Sequence, residues 1–236
     1  HPEVVLVSSD FWAFDKQGVR EASHIATYYS ILRRFPAGPL DLYPRQETIL
    51  LPTPSGAETV RVLFGNVYEA LVLGSFVHPP TASMRRTALD AVGGLVEELG
   101  GISEYDLFLK LASLGSFAYV DRATLGYRYS DDQLSADANL LRLRLAILRV
   151  ITDLGRRDPA YVASHPAEYG RRLAECHFGV AVAASDEQPS LALRHLWHTL
   201  RRGHLDARMP RVFVKALLPR STLRRLRAPA VPHRDS

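Results

Sequence analysis

The chain has 236 residues, 47% of them hydrophobic and 23% charged, with a formal net charge of +4; this is a soluble globular balance, enough for one packed domain or a small domain with a helical annex. Cys176 is the only cysteine, which excludes an internal disulfide and favours a reducing compartment, while the longest mainly apolar run, 62–77, is broken by Gly65, Asn66, Glu69 and Gly74 and is too interrupted for a membrane span. Charge is uneven, with 18 Lys and Arg against 23 Asp and Glu over residues 1–193 but 11 against 2 over 194–236, so a basic partner surface belongs to the tail.

The chain opens on His1-Pro2 and runs at once into Val4–Val7, an apolar, β-branched run of the kind found inside a sheet. It reads as a fragment entered mid-fold, and nothing resembles a signal peptide. Residues 3–9 predict a buried strand and residues 10–18 its exit into a turn, with Asp10 and Asp15 as turn residues. Residues 20–60, mixing aromatics with prolines at 36, 39, 44, 52 and 54, predict a long irregular connection with a short helix near 22–34. Val60, Leu63, Phe64, Val67 and Leu71 fall on one helical stripe, which predicts a helix over 60–73. An extended segment, 74–86, then leads to a short helix over 87–92.

Residues 93–112 carry the densest pattern. A Gly93-Gly94 turn is followed by an acidic loop with Glu97, Glu98, Gly100 and Gly101, then by an amphipathic helix containing Leu107, Leu109, Leu111 and Ala112. Ser103 is the expected N-cap, which puts Glu104 and Asp106 in the first turn, where exposed N–H groups and the positive end of the dipole keep a carboxylate ionised. A carboxylate held there can serve as a general base or simply as helix-capping charge, and the spacing does not separate the two. Residues 115–125 predict a strand and turn and 126–135 a polar loop, in which Arg128 can bind phosphate oxygens or pair with Asp131 or Asp132.

Beyond residue 137 no strand signal follows. Residues 138–154, 167–184 and 191–202 predict three helices, the last two resembling a tetratricopeptide-style pair. Their histidines, among them His195 and His198 at i, i+3, are expected on faces and packing seams rather than on a metal. Residues 212–227 alternate apolar residues with arginine, as a solvated basic helix does or as one that docks on anionic lipid headgroups does. Residues 228–236 read as a disordered tail.

The run from Gly93 to Lys110 resembles the acceptor-side signature of family 2 glycosyltransferases, roughly Gly-Gly-Phe-Asp-Glu, a short loop, then Glu-Asp-Tyr-Asp-Leu-Trp-Leu-Arg. Gly93, Gly94 and Glu97 match the first part, and Ser103, Glu104, Tyr105, Asp106, Leu107, Phe108, Leu109 and Lys110 align with the second without a gap. The resemblance extends to the opening His-Pro-Glu-Val strand with Asp10 and to the 74–86 segment ending in Arg85-Arg86. It also takes in Tyr127, Arg128 and Ser135, with Ser130 where the family has histidine. It covers about residues 1–135.

The resemblance implies an α/β fold: a partial GT-A (Rossmann-like) mixed sheet with flanking helices over 1–136, followed by an all-α C-terminal annex over 137–228 and the tail 229–236. It implies inverting transfer of a sugar from a nucleotide sugar to a hydroxyl of a saccharide or lipid-linked acceptor, in cell-surface polysaccharide or glycoconjugate synthesis. Glu104 corresponds to the base, Asp106 is a second candidate, and Gly93, Gly94, Tyr105 and Arg128 are implied on the acceptor and donor side. The divalent metal, Mn or Mg, is implied on an Asp-x-Asp that this chain lacks, within a nucleotide-binding half preceding His1 on which activity depends; no metal ligand is assigned here. The implied setting is cytoplasmic, at the inner face of the plasma membrane; from its own residues the basic C-terminal segment is a candidate for peripheral membrane contact, and its arginines, not interleaved with exposed aromatics, give no expectation of a nucleic-acid partner. The competing expectation is a non-catalytic helical adaptor or membrane-surface protein carrying a degenerate transferase remnant, which the departures at Ser103, Glu104 and Ser130 would suit.

Overall fold

The structure, a computed structural model, describes residues 1–54, 56–129 and 139–217. They fall into two compact units divided between Ala136 and Asp137, and the molecule is mixed α/β. The tail beyond 217 and the loop at 130–138, with Ser130, Asp131, Asp132 and Ser135, lie outside the described residues.

The first unit is built on β1 (Val4–Asp15), whose unbroken apolar start buries Val4, Val5 and Leu6. It pairs in parallel with β6 (Ser116–Arg128) and antiparallel with β2 (Gly18–Glu21) and β5 (Ser83–Met84). A hairpin of β3 (Arg45–Thr53) and β4 (Gly56–Gly65) adds to the other side of β6, giving the order β2-β1-β6-β4-β3. Val4, Val62, Phe64 and Ala118 form one apolar cluster of this sheet, flanked by Ile49 and Val120, as pleat alternation requires of residues two apart.

Three expectations are corrected here. The stretch from Val60 is a strand up to Gly65 rather than a helix, because Val60, Val62 and Phe64 also alternate, and it pairs with β3 along its length and with β6 over Val62–Gly65, which gives its backbone groups partners in the sheet. Only α2 (Tyr68–Leu73) is helical. The connection over 20–60 is likewise more ordered than expected, holding β2, α1 (Ile25–Tyr28), two 3-10 turns and β3. The strand after Gly115 also continues to Arg128, through residues expected to be loop, because β1 is long enough to pair with it as far as Phe14↔Arg128.

After α3 (Arg86–Ala91) and a 3-10 turn over Glu97–Ile102 comes α4 (Ser103–Leu114), which buries Tyr105, Asp106, Leu107, Phe108, Leu109, Leu111 and Ala112. A helix apolar nearly all round is an enclosed one. It packs on β1, α2 and α3, and Tyr105 Oη donates to the Leu71 carbonyl at 2.7 Å.

The described residues of the second unit are helical: α5 (Leu140–Arg157), α6 (Pro159–Ser164), α7 (Pro166–Ala184), α8 (Pro189–Leu200) and α9 (Met209–Leu217). Pro159, Pro166 and Pro189 open three of them at the position where a missing N–H costs nothing. Asp158 also accepts from Tyr161 N at 2.9 Å, a side-chain N-cap. The seam of α7, α8 and α9 is a cluster of Phe178, Ala181, Leu196, Met209 and Val212. Among the described residues no helix is long and apolar enough to cross a membrane.

Candidate functional site

The first turn of α4 is the natural place to look for chemistry, and its two carboxylates have different surroundings. The Asp106 side chain is 4% exposed and pairs with Lys110 Nζ at 2.7 Å one helical turn on. Its charge is already committed to the helix. Glu104 is half-buried, and among the described residues no hydrogen bond or ion pair ties its carboxylate down.

The residues around this turn fix its position. Ser103 is not the N-cap: that position is Ile102, and Ser103 already has helical φ and ψ because the preceding 3-10 turn delivers the chain in helical geometry. Its Oγ instead accepts from Val96 N at 2.6 Å, which ties the start of the acidic loop to the start of the helix. Gly93 and Gly94 both have positive φ, +77° and +69°, a conformation that side-chain-bearing residues adopt at a cost. Tyr105, 5% exposed, is held by its hydroxyl to Leu71 and is a structural anchor of α4. Asp15 accepts from Gln17 N and pairs with Arg20 at 2.6 Å, the turn role its sequence context implies; Asp10, expected in a turn, instead lies buried within β1 and accepts from Phe11 N at 2.7 Å and from Ile25 N at 3.1 Å.

Near this turn lies a group of rings at the ends of β1 and β6 that is not legible in the sequence. His78, 3% exposed, stacks on Phe11 with ring centroids 3.9 Å apart. Tyr28, itself on Phe11 and His78, meets Tyr127, which in turn packs on Tyr129. His24 Nδ1 and Glu21 lie 2.6 Å apart, and His24 Nε2 and the Tyr129 hydroxyl 2.8 Å apart. Tyr29 donates to the Val77 carbonyl at 3.1 Å and lies 3.2 Å from His78 Nδ1. Burial raises the Tyr29 phenol above its ordinary range, with smaller contributions from Tyr28, Tyr127 and Glu104, which brings the Glu104 carboxylate into the electrostatic neighbourhood of the ring group. Burial also pushes the His78 imidazole down to about 4, helped by His24, so it is neutral at pH 7. Its Nε2 is buried without a hydrogen-bond partner among the described residues.

The ring group assembles by register. Parallel pairing sets Ala13 opposite Tyr127, and residues two apart on a strand share a face, which brings Tyr127 and Tyr129 together. The Phe11 carbonyl accepts from His24 N at 2.8 Å and so carries His24 and Tyr28 to the same end. The only sequence signal for it is the recurrence of aromatics at 28, 29, 127 and 129. Arg128 sits exposed at the end of β6.

In the second unit His177 Nδ1 and His195 Nδ1 are 2.9 Å apart and His177 stacks on His198 at 4.8 Å. Both His177 and His195 are lowered to about 4, first by burial and then by neighbouring positive charge. Among the described residues no group of three or more His, Cys, Asp or Glu side chains is placed to hold a metal ion.

Comparison of the chain with family models, curated proteins and solved structures returns no match.

Proposed function

We propose that the first unit is the acceptor-side portion of a GT-A glycosyltransferase, with the second unit as its all-α annex, and that it transfers a sugar from a nucleotide sugar to a hydroxyl with inversion. The observation that carries this is the separation of the two carboxylates on α4: Asp106 pairs with Lys110, whereas Glu104 lies within electrostatic reach of Tyr29, a member of the ring group. In this reading Glu104 accepts the acceptor's hydroxyl proton as its oxygen bonds to the anomeric carbon. The bond from that carbon to the diphosphate oxygen breaks on the opposite face, and the diphosphate leaves with the electron pair. Tyr28 and Tyr127 offer ring faces to the apolar side of a sugar, and Arg128 offers positive charge to the diphosphate. The Gly93-Gly94 turn and Tyr105 position the helix that carries the base.

The described residues do not supply a ligand set for the divalent metal that the resemblance implies, and the chain has no Asp-x-Asp. Of the donor contacts only the Arg128 charge is assigned to this chain, no metal ligand is assigned, and no step here runs through the metal. Synthesis of a surface polysaccharide or glycoconjugate on the cytoplasmic side is the setting that fits such a transfer.

The test is donor hydrolysis and sugar transfer by the protein extended with its upstream coding sequence, assayed with Mn²⁺ or Mg²⁺ over a panel of nucleotide sugars beside its Glu104→Gln variant. Loss of about a hundredfold or more in the variant, as removal of a general base gives, supports the assignment. An active parent with an unaffected variant places the base elsewhere. A parent that turns over no donor favours the non-catalytic adaptor.

A further inference from the structure

Helix α9 is apolar on two faces. Met209, Val212 and Ala216 are buried, the first two against Phe178 and Leu196 and the third against Ala184 and Ala192. The face turned the other way carries Phe213 at 50% exposure, Val214 at 50% and Leu217 at 57%. Trp197 at 62% and Leu200 at 48% on α8, with Leu205 at 80% in the connecting loop, belong to the same surface. Between α8 and α9, Trp197, Leu200, Leu205 and Phe213, with Leu196 and Met209 at the base, frame a cleft of about 540 Å³. Isolated exposed apolar residues need no explanation, whereas a contiguous group of large ones marks an interaction surface.

The charge around it is one-sided. Residues 189–217 carry Arg194, Arg201, Arg202, Arg208, Arg211 and Lys215 against a single acidic residue, Asp206, and of these Lys215 is paired with Asp186 of the preceding turn at 3.0 Å. Asp206 is itself bonded to Arg208 by both oxygens, at 2.9 and 2.8 Å. The five arginines are exposed. A second copy of this face would bring like charge against like charge. So would the chain that follows it, since residues 218–236 hold five arginines and one aspartate. The complementary occupant is anionic and apolar at once, and Trp, Phe and Leu side chains ringed by arginine are the composition of a surface that lies in a lipid headgroup layer.

We propose that the exposed face of α8 and α9 docks on an anionic lipid bilayer. Trp197, Leu205 and Phe213 enter the boundary between headgroups and acyl chains, while Arg201, Arg202 and Arg211 meet lipid phosphates. This places membrane contact on folded helices of the second unit and is independent of the transferase reading, which concerns the first.

The experiment uses the full chain in a Trp12→Phe background, so that Trp197 is the sole tryptophan, with vesicles of phosphatidylcholine alone and of phosphatidylcholine with 30 mol% phosphatidylserine as probes. Sedimentation is expected to show binding to the serine-containing vesicles, at least tenfold tighter than to the neutral ones, with a blue shift of Trp197 emission and loss of acrylamide quenching. Each basic residue near an anionic surface accounts for about fivefold in affinity, so Arg201→Glu with Arg202→Glu should weaken binding by more than tenfold. Leu205→Ser with Phe213→Ser should abolish the blue shift; all four positions are solvent-exposed, and unchanged circular dichroism confirms the fold. Failure to bind either vesicle overturns the proposal, as does binding that both pairs of substitutions leave intact, which would place the contact on residues 218–236. A dimer in solution that shields Trp197 without lipid overturns it in favour of a second copy, and shielding by an acidic soluble protein in place of vesicles overturns it in favour of a protein partner.

Discussion

The buried imidazole of His78 makes the stability of the first unit depend on pH in a window that can be calculated. Its folded value is lowered to about 4 from the ordinary 6.5, first by burial and then by the charge of His24. The unfolded chain therefore binds a proton between pH 6.5 and 4 that the folded chain refuses. The stabilisation this group contributes is complete above 6.5 and is lost progressively as pH falls towards 4. With one proton and this shift, moving from pH 7.5 to pH 5.0 costs about 2 kcal/mol of unfolding free energy. His78→Phe removes the titration while keeping a ring to stack on Phe11, and Tyr29 retains its bond to the Val77 carbonyl. Urea unfolding of a Trp197→Phe protein, followed through Trp12 in the first unit, reads the difference directly. The unfolding free energy of the parent should drop by about 2 kcal/mol more between the two pH values than that of the variant; carboxylates that titrate in the same range are common to both and cancel. Equal drops in the two proteins would show that His78 is protonated in the folded state and would refute the reasoning.

Two further substitutions separate anchoring from chemistry. Asp106→Asn leaves Lys110 without its buried partner and should destabilise the first unit by about 1–3 kcal/mol in thermal or urea unfolding, while the transfer rate of the folded protein at saturating substrate stays within a few-fold of the parent. A loss on the scale expected for Glu104→Gln would instead move the base to Asp106. Gly126→Ala places a methyl 2.5 Å from the indole of Trp12, so it should cost about 1–3 kcal/mol and shift Trp12 emission; unchanged emission and stability would mean that β6 and β1 do not approach this closely.

What the sequence shows well is what local chemistry decides. The opening strand follows from an uninterrupted apolar, valine-rich run, and the helices of the second unit follow from apolar periodicity and, for three of them, prolines at their first positions. What it hides is decided by pairing partners far along the chain. Val60, Leu63, Phe64, Val67 and Leu71 fit a helical stripe, and Val60, Val62 and Phe64 fit a strand equally well; β3 and β6, placed on either side, settle the choice for 60–65. Residues 126–128 look like polar loop because only the parallel partnership with Trp12, Ala13 and Phe14 makes them strand. The aromatic group around His78 joins residues as far apart as 11 and 129, and no single window contains it.

The same contrast explains the candidate site. In the sequence Glu104 and Asp106 are interchangeable, two carboxylates in one helical turn. Two residues of an α-helix are about 200° apart around its axis, so the two side chains leave the helix on nearly opposite sides. That rotation takes Asp106 to the face where Lys110, four residues on, neutralises it, and takes Glu104 towards Tyr29. The helix itself is fixed at three points, by Ser103 to Val96, Tyr105 to Leu71 and the buried Phe108. A base needs to be held in place while its own oxygens stay free for the incoming proton. On α4 the neighbours of Glu104 in the first turn, Ser103, Tyr105 and Asp106, all hold the helix, and this difference is what the proposed base assignment rests on.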